Sequence, residues 1–210
     1  MSTVALAIHL VGLAVAFGLR TWIQVRRTGS SGFHGISGAP GSLRWWAGVS
    51  FVAALVLGLA ALVLAVAGVV PRPRGPVPDA AAVVGLVVAV LGYAGVLTAQ
   101  TGMGASWRIG VEPTERTELV TNGAFALVRN PIFTAMVGAQ LGLTAMVPTW
   151  LSLAALGCLV AAVELQVRLI EEPYLLATHG SSYARYAAST GRFVPRVRRL
   201  TTADAQGASR

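Results

Sequence analysis

Long apolar runs separated by short polar segments make up most of the chain. Three of these runs are each long enough to cross a bilayer as a helix, which takes about 20 apolar residues. They cover Val4 to Ile23, Trp45 to Val70 and Ala80 to Thr101. The pattern predicts an integral membrane protein in which residues 1–101 form a three-span membrane region.

A second apolar region follows a polar segment at residues 102–130. The run from Ile132 to Val147 is short, Pro148 interrupts it, and an apolar run resumes at Leu151 and extends to about Ile170. Because proline cannot continue a helix interior, we expect two helices with a tight turn near Pro148. The predicted fold class is an all-α integral membrane protein with about five transmembrane helices, the last two forming a hairpin.

The residues after the hairpin are more polar. A helical pattern continues from Glu171 to about Ser189, and it predicts a helical C-terminal segment outside the membrane. Beyond Leu200 the residues are small and polar, which predicts a disordered tail at residues 201–210. We expect residues 102–200 to form one functional unit that contains a polar loop, the hairpin and the C-terminal segment.

Composition and charge agree with membrane insertion. The chain is 55% hydrophobic and only 11% charged, whereas soluble domains carry about 25% charged residues. The net charge of +8 comes from arginine alone, and of the predicted loops those on one side hold only Arg72 and Arg74. The positive-inside rule then places the N-terminus outside an inner or cytoplasmic membrane, and the C-terminus in the cytoplasm.

Several classes of function are disfavoured by the residues that are present. The arginines flank apolar runs and do not interleave with aromatic residues, so a nucleic-acid partner is not expected. Cys158 is the only cysteine, which rules out an internal disulfide and a CxxC zinc site. The three histidines are scattered, and we find neither metal-ligand spacing nor a Ser/His/Asp arrangement.

Two polar clusters flank the hairpin and are expected to meet at its cytoplasmic end. Arg129 and Asn130 precede the hairpin, and Glu171 and Glu172 follow it. A compact zwitterionic ligand suits such a site, with its ammonium at Glu171 or Glu172 and its carboxylate at an arginine. Aromatic side chains can flank a flat ring or a sulfonium. The candidates for that role are Phe133, Trp107 and Tyr183.

An ion-pair ladder is the alternative interpretation of the same charges. Glu164, Arg168 and Glu171 or Glu172 lie on one helix face, because residues three and four apart are neighbours. Arg168 is therefore expected to pair with a carboxylate on either side. A non-enzymatic membrane subunit needs nothing more than such pairs. A small transporter is a further alternative, although transporter sites lie near the membrane midplane and these charges lie at span ends.

The motifs around the hairpin carry a family resemblance. The first half reads Leu119-Val120-x-x-Gly123-x-Phe125-x-x-Val128-Arg129-Asn130-Pro131-x-Phe133. The second half reads Glu171-Glu172-x-x-Leu175, then His179-Gly180-x-x-Tyr183-x-x-Tyr186, then Arg192-Phe193-x-Pro195. Together they resemble the isoprenylcysteine carboxyl methyltransferase family and its wider kin, the membrane phospholipid methyltransferases.

The resemblance implies a methyltransferase that uses S-adenosylmethionine, held at the cytoplasmic end of the last spans. A lipophilic or small acceptor, bearing a carboxylate, a thiol or an amine, would enter from the lipid bilayer. Arg129, Glu171 and Glu172 are the residues that the resemblance marks as critical for activity. The implied cofactor-binding residues are Leu119, Val120, Gly123, Phe125, Arg129, Asn130, Pro131, Phe133, Glu171, Glu172, Leu175, Tyr183 and Tyr186.

Two positions depart from the family pattern. Asn130 stands where the family usually has histidine, and Phe133 stands where it usually has tyrosine. Asparagine keeps its hydrogen-bonding groups but takes no proton near neutral pH, and phenylalanine lacks the hydroxyl.

Overall fold

Helices account for most of the described part of the chain. The computed structural model describes residues 1–31, 35–36, 38–70, 78–104 and 118–197. Its helices are α1 (Ser2–Thr28), α2 (Leu43–Val66), α3 (Asp79–Gly102), α4 (Ala124–Leu127), α5 (Pro131–Met146), α6 (Trp150–His179) and α7 (Ser181–Ser189). The all-α prediction is confirmed for these ranges, and the tail predicted to be disordered at 201–210 lies outside them.

Four of the described helices are long and apolar enough to cross a membrane, namely α1, α2, α3 and α6. Helix α5 has only 16 residues. At the helical rise per residue it extends roughly 24 Å, which is less than the hydrocarbon core of about 30 Å. Four of the five expected spans thus correspond to helices that could cross a membrane by length and composition, whereas the count of five spans and a full crossing by α5 stay predictions.

The chain breaks between α5 and α6 at the predicted proline. Helix α5 ends at Met146, and Thr149 then caps α6. The Thr149 hydroxyl accepts a hydrogen bond from the Ser152 backbone N–H at 3.0 Å, and the Ser152 hydroxyl accepts one from the Thr149 N–H at 2.8 Å. This reciprocal capping satisfies two N–H groups that have no helical partner. At the other end, Pro131 begins α5, where a missing N–H costs nothing.

Glycines allow α3 and α5 to pack backbone against backbone in an antiparallel arrangement. Gly92 of α3 lies against Ala139 of α5, and Gly85 lies against Gly142. A side chain at either contact would collide with the opposing backbone. Helices in lipid associate through such close van der Waals packing. The pairing places the C-terminal end of α3 beside the N-terminal end of α5, where the functional site begins.

Polar contacts join α1 to α3 at the same end of the bundle. The Gln100 side-chain amide donates to the Ala16 carbonyl at 3.1 Å, within a π-helical segment of α1, Ala14–Leu19. Buried Arg20 donates to the carbonyls of Gln100 at 3.3 Å and Gly104 at 2.9 Å. A cation there is favourable, because a helix C-terminus carries partial negative charge.

Candidate functional site

A short backbone pairing ties the start of α5 to the chain beyond α7. Val128 and Gly191 form a parallel β-bridge. The Arg129 N–H donates to the Gly191 carbonyl at 2.8 Å, and the Asn130 N–H donates to the Arg192 carbonyl at 3.1 Å. The Asn130 side-chain amide reaches the same Arg192 carbonyl at 3.2 Å. These bonds hold the two family motifs side by side.

A buried ion network of Arg129, Glu172 and Arg192 lies at this junction. An Arg129 amino group donates to Glu172 Oε1 at 2.7 Å. Arg192 donates two hydrogen bonds to the same carboxylate, from Nε to Oε1 at 2.9 Å and from Nη2 to Oε2 at 2.6 Å. The side-chain exposures are 1% for Arg129, 8% for Glu172 and 10% for Arg192. Both oxygens of Glu172 are therefore engaged by guanidinium groups.

The network is also anchored to the C-terminal segment. The other amino group of Arg129 donates to the carbonyls of Ala187 at 2.7 Å and Thr190 at 2.8 Å, at the end of α7. Among these three side chains, two cations face one carboxylate. Hydrogen bonding to Glu172 raises the pKa of Arg192, although burial acts in the opposite direction, so Arg192 stays cationic.

A π-helical segment within α6 accompanies the inward position of Glu172. Helix α6 is π-helical over Val167–Glu171 and resumes as an α-helix at Glu172. Pro173 has no N–H for the bond to the residue four positions earlier, and its ring crowds that carbonyl. The wider π turn relieves this conflict and shifts the helical register by about one residue.

The predicted pairing of Arg168 is observed on the outer face of α6. Arg168 Nε lies 2.6 Å from Glu164 Oε2, and the two side chains are 44% and 31% exposed. This is the i, i+4 pair that the helix pattern predicts. Charges of the second cluster are thus divided between an exposed pair and the buried network. Glu171 is half-buried and lies next to the network in sequence.

An open cavity of about 330 Å³ adjoins the network between α5, α6 and the C-terminal segment. Arg192 and Glu164 are its ionisable lining residues among those described. The rest of the lining is mainly nonpolar and comprises Phe133, Thr134, Val137, Val160, Val163, Phe193, Val194 and Val197. The Phe133 ring also packs edge-on against Phe51 of α2, with ring centroids 5.8 Å apart. A largely apolar chamber with a charged inner wall therefore lies beside the buried ions.

The two predicted tyrosines pack beneath the network. Tyr183 is only 1% exposed, and its ring meets the Tyr186 ring at 6.1 Å between centroids. Burial and then the charge of Glu172 raise the pKa of Tyr183 above its ordinary value. Burial also raises the pKa of Tyr186, to about 12, although Arg129 acts in the opposite direction. The Tyr186 hydroxyl donates to the Phe125 carbonyl at 2.6 Å, which links α7 to α4.

The remaining predicted residues lie around this centre. Pro131 is buried at the start of α5, and Phe125 is buried in α4. Leu119, Val120 and Leu175 are half-buried and contribute nonpolar surface, whereas Gly123 is exposed in a left-handed backbone conformation with φ of 56°. Trp107, the third aromatic candidate, lies outside the described residues.

One contributor was missing from the predicted site. Arg192 was recognised only as part of a motif, yet it makes the bidentate contact to Glu172. Its position in the Arg192-Phe193-x-Pro195 motif is the signal that could have identified it. Helical periodicity gives no such signal, because Arg192 follows the last described helix.

The family model for phospholipid methyltransferases matches residues 80–182. The matched stretch is just under half of the chain, and the family is part of the isoprenylcysteine carboxyl methyltransferase-like group. The resemblance found in the motifs is therefore confirmed, and the match indicates a membrane methyltransferase. Methyltransferases of this family generally use S-adenosylmethionine. The match includes α3 to α6 and ends within α7, so that Arg192 lies beyond it. Neither the curated proteins nor the solved structures gave a significant match.

Proposed function

We propose that this protein is an S-adenosylmethionine-dependent methyltransferase that acts on a lipophilic or small acceptor at the membrane surface. The observation that supports this function best is the buried network of Arg129, Glu172 and Arg192 beside a largely apolar cavity. Buried charges are costly to retain. A transferase that brings a charged donor to an apolar acceptor needs a charged site and an apolar cavity next to each other.

The residues near the network suit a zwitterionic cofactor. The two arginines of the network favour a carboxylate. We assign the ammonium group to Glu171 or Glu172, of which Glu171 is half-buried and Glu172 accepts hydrogen bonds from both arginines. When bound, S-adenosylmethionine supplies a methyl group already activated on a sulfonium. Arg129, held in place by Glu172, would attract the carboxylate end and would not exchange a proton with it.

The cavity suits the acceptor. Its apolar walls exclude water from the transfer site, which strengthens electrostatic interactions there. Transfer from a sulfonium depends mainly on alignment and desolvation, so a carboxylate or thiolate acceptor needs no base. An amine acceptor must also lose a proton. Glu164, which pairs with Arg168 through one oxygen, is the carboxylate that lines the cavity, and we assign this proton to it.

The proposed location is an inner or cytoplasmic membrane, with the site on the cytoplasmic side. The distribution of arginines motivates this orientation through the positive-inside rule. The acceptor would then reach the cavity from the inner leaflet.

Cofactor binding in detergent tests the proposal. Calorimetric titration of the full chain with S-adenosylmethionine should give saturable heat, and labelled methyl groups should pass to a total lipid or thiol extract. Arg129→Gln should abolish both signals, because it leaves Glu172 with one partner and breaks the link to α7. Arg185→Gln is the matched control, since it removes an exposed arginine on α7. An absence of heat and of transfer from the unmodified protein would rule the function out.

A further inference from the structure

The last described segment, Gly191–Val197, is a tight turn that forms one wall of the cavity. The Arg192 N–H donates to the Val197 carbonyl at 3.3 Å, and the Val197 N–H donates to the Val194 carbonyl at 3.1 Å. A side chain at Gly191 would collide with the Val194 carbonyl, so the turn requires glycine there. Arg196 adopts a left-handed φ of 63°, which is uncommon for a residue with a side chain.

The backbone pairing with α5 fixes the start of this turn at Gly191 and Arg192, and the residues that follow lie along the cavity. Its side chains at Val194 and Val197 line the cavity and are also 55% and 50% exposed. Phe193 is half-buried, and its carbonyl accepts a hydrogen bond from the Thr134 hydroxyl at 3.1 Å. The strongest side-chain attachment is the bidentate contact from Arg192 to Glu172. A charged pair of this kind is roughly twice as strong as a neutral hydrogen bond.

The geometry points to Arg192 as a positioning residue that holds the Gly191–Val197 turn against Glu172 and so fixes the wall of the acceptor cavity. Arg192 touches both parts of the site, since its fork binds Glu172 and its side chain lines the cavity. Through this contact the position of the acceptor is set relative to the buried charges. The kinetic consequence rests on the proposed function, whereas the conformational consequence does not.

Arg192→Lys is the informative substitution. Lysine keeps the positive charge, but it cannot bind a carboxylate through a planar two-pronged contact. The net charge of the network is unchanged, so binding of a charged cofactor should be preserved while the turn loosens. Arg192→Gln removes the charge as well and should loosen the turn at least as much. Arg196→Gln is the matched control, because it removes an exposed arginine from the same turn.

The conformational test uses a nitroxide spin label on the full chain in detergent. With Cys158→Ala as background, the label is attached at Val194→Cys in the turn, or at Ala188→Cys on exposed α7 as reference. Arg192→Lys and Arg192→Gln should each increase label mobility in the turn and leave it unchanged on α7. Arg196→Gln should change neither. Unchanged mobility in the turn, or an equal increase at both positions, would overturn the proposal.

The kinetic test measures transfer of labelled methyl groups from S-adenosylmethionine into a total lipid extract. Arg192→Lys should raise the KM for the extract by about ten- to a hundredfold, because a small displacement of a positioning group has effects of that size. Its calorimetric Kd for S-adenosylmethionine should match that of the unmodified protein. An unchanged KM would contradict the positioning role. If the unmodified protein binds no cofactor, the proposed function fails, and the spin-label result still decides whether Arg192 holds the turn.

Discussion

At the scale of single residues, the two adjacent glutamates differ in their environment. Glu172 is 6% exposed and lies between two guanidinium groups, whereas Glu171 is half-buried. This carboxylate compensates two buried cations. Its removal leaves two like charges in a place of low dielectric constant, where an unpaired ion is costly. The role of Glu172 is therefore expected to appear in stability as well as in activity.

Replacement of Glu172 tests this dual role. Glu172→Gln should lower the free energy of unfolding by about 3–5 kcal/mol, the usual cost of breaking a buried ion pair from one side. Chemical unfolding in detergent measures the change. The comparison is Glu164→Gln, which breaks an exposed pair and should cost less than about 1 kcal/mol. Equal effects of the two substitutions would show that burial of the network contributes nothing to stability.

At the scale of elements, the antiparallel pair of α3 and α5 supports the site from below. Its close approach depends on glycines at the contact and positions the start of α5, where Arg129 and Asn130 lie. The π-helical segment in α6 has a comparable effect on the other side, because it accompanies the inward position of Glu172. The glycine contacts between α3 and α5 and the π-helical segment of α6 thus both help to bring the two motifs together.

Substitutions at two glycines of α5 distinguish the effect of helix packing on stability from the effect of helix propensity. At Gly142 a Cβ would collide with the backbone of α3, whereas at Gly138 nothing lies within 4 Å of an added Cβ. Gly142→Ala should destabilise the protein by about 1–3 kcal/mol through overpacking. Gly138→Ala should be neutral or stabilising by up to about 1 kcal/mol, since alanine is the better helix former. Thermal unfolding in detergent measures both, and a tolerant Gly142→Ala would refute the close packing of α3 and α5.

At the scale of the whole molecule, the orientation of the chain decides which leaflet supplies the acceptor. An odd number of crossings would put the two ends of the chain on opposite sides, and the positive-inside rule would then place the proposed site in the cytoplasm. Helix α5 is the short member, so its crossing requires local thinning of the bilayer or support from its neighbours.

Single-cysteine labelling tests this topology. With Cys158→Ala as background, an impermeant maleimide applied to intact cells should label Ser2→Cys and Trp150→Cys. It should label Ser189→Cys only after permeabilisation. Trp150 is 66% exposed at the turn between α5 and α6, so it reports whether α5 crosses. Labelling of Trp150→Cys only from the cytoplasmic side would contradict the fifth crossing.

Local information in the sequence determined most of the helical architecture. The apolar runs matched the helices to within a few residues, and Pro148 marked the break between α5 and α6, because hydrophobicity and proline geometry act over short distances. The i, i+4 pair of Glu164 and Arg168 followed from helical spacing in the same way. The motifs also indicated the family resemblance and contained Arg129, Glu172 and Arg192, the three residues of the buried network.

Only the tertiary structure decided which carboxylate joins the network and which second arginine it binds. The π-helical segment changes the register of α6, and no periodic pattern in the sequence announces that change. The contact between Arg192 and Glu172 depends on how the chain folds back after α7, as does the cavity wall formed by the same turn. Such contacts join residues distant in sequence, so their geometry is set by the packing of the entire bundle.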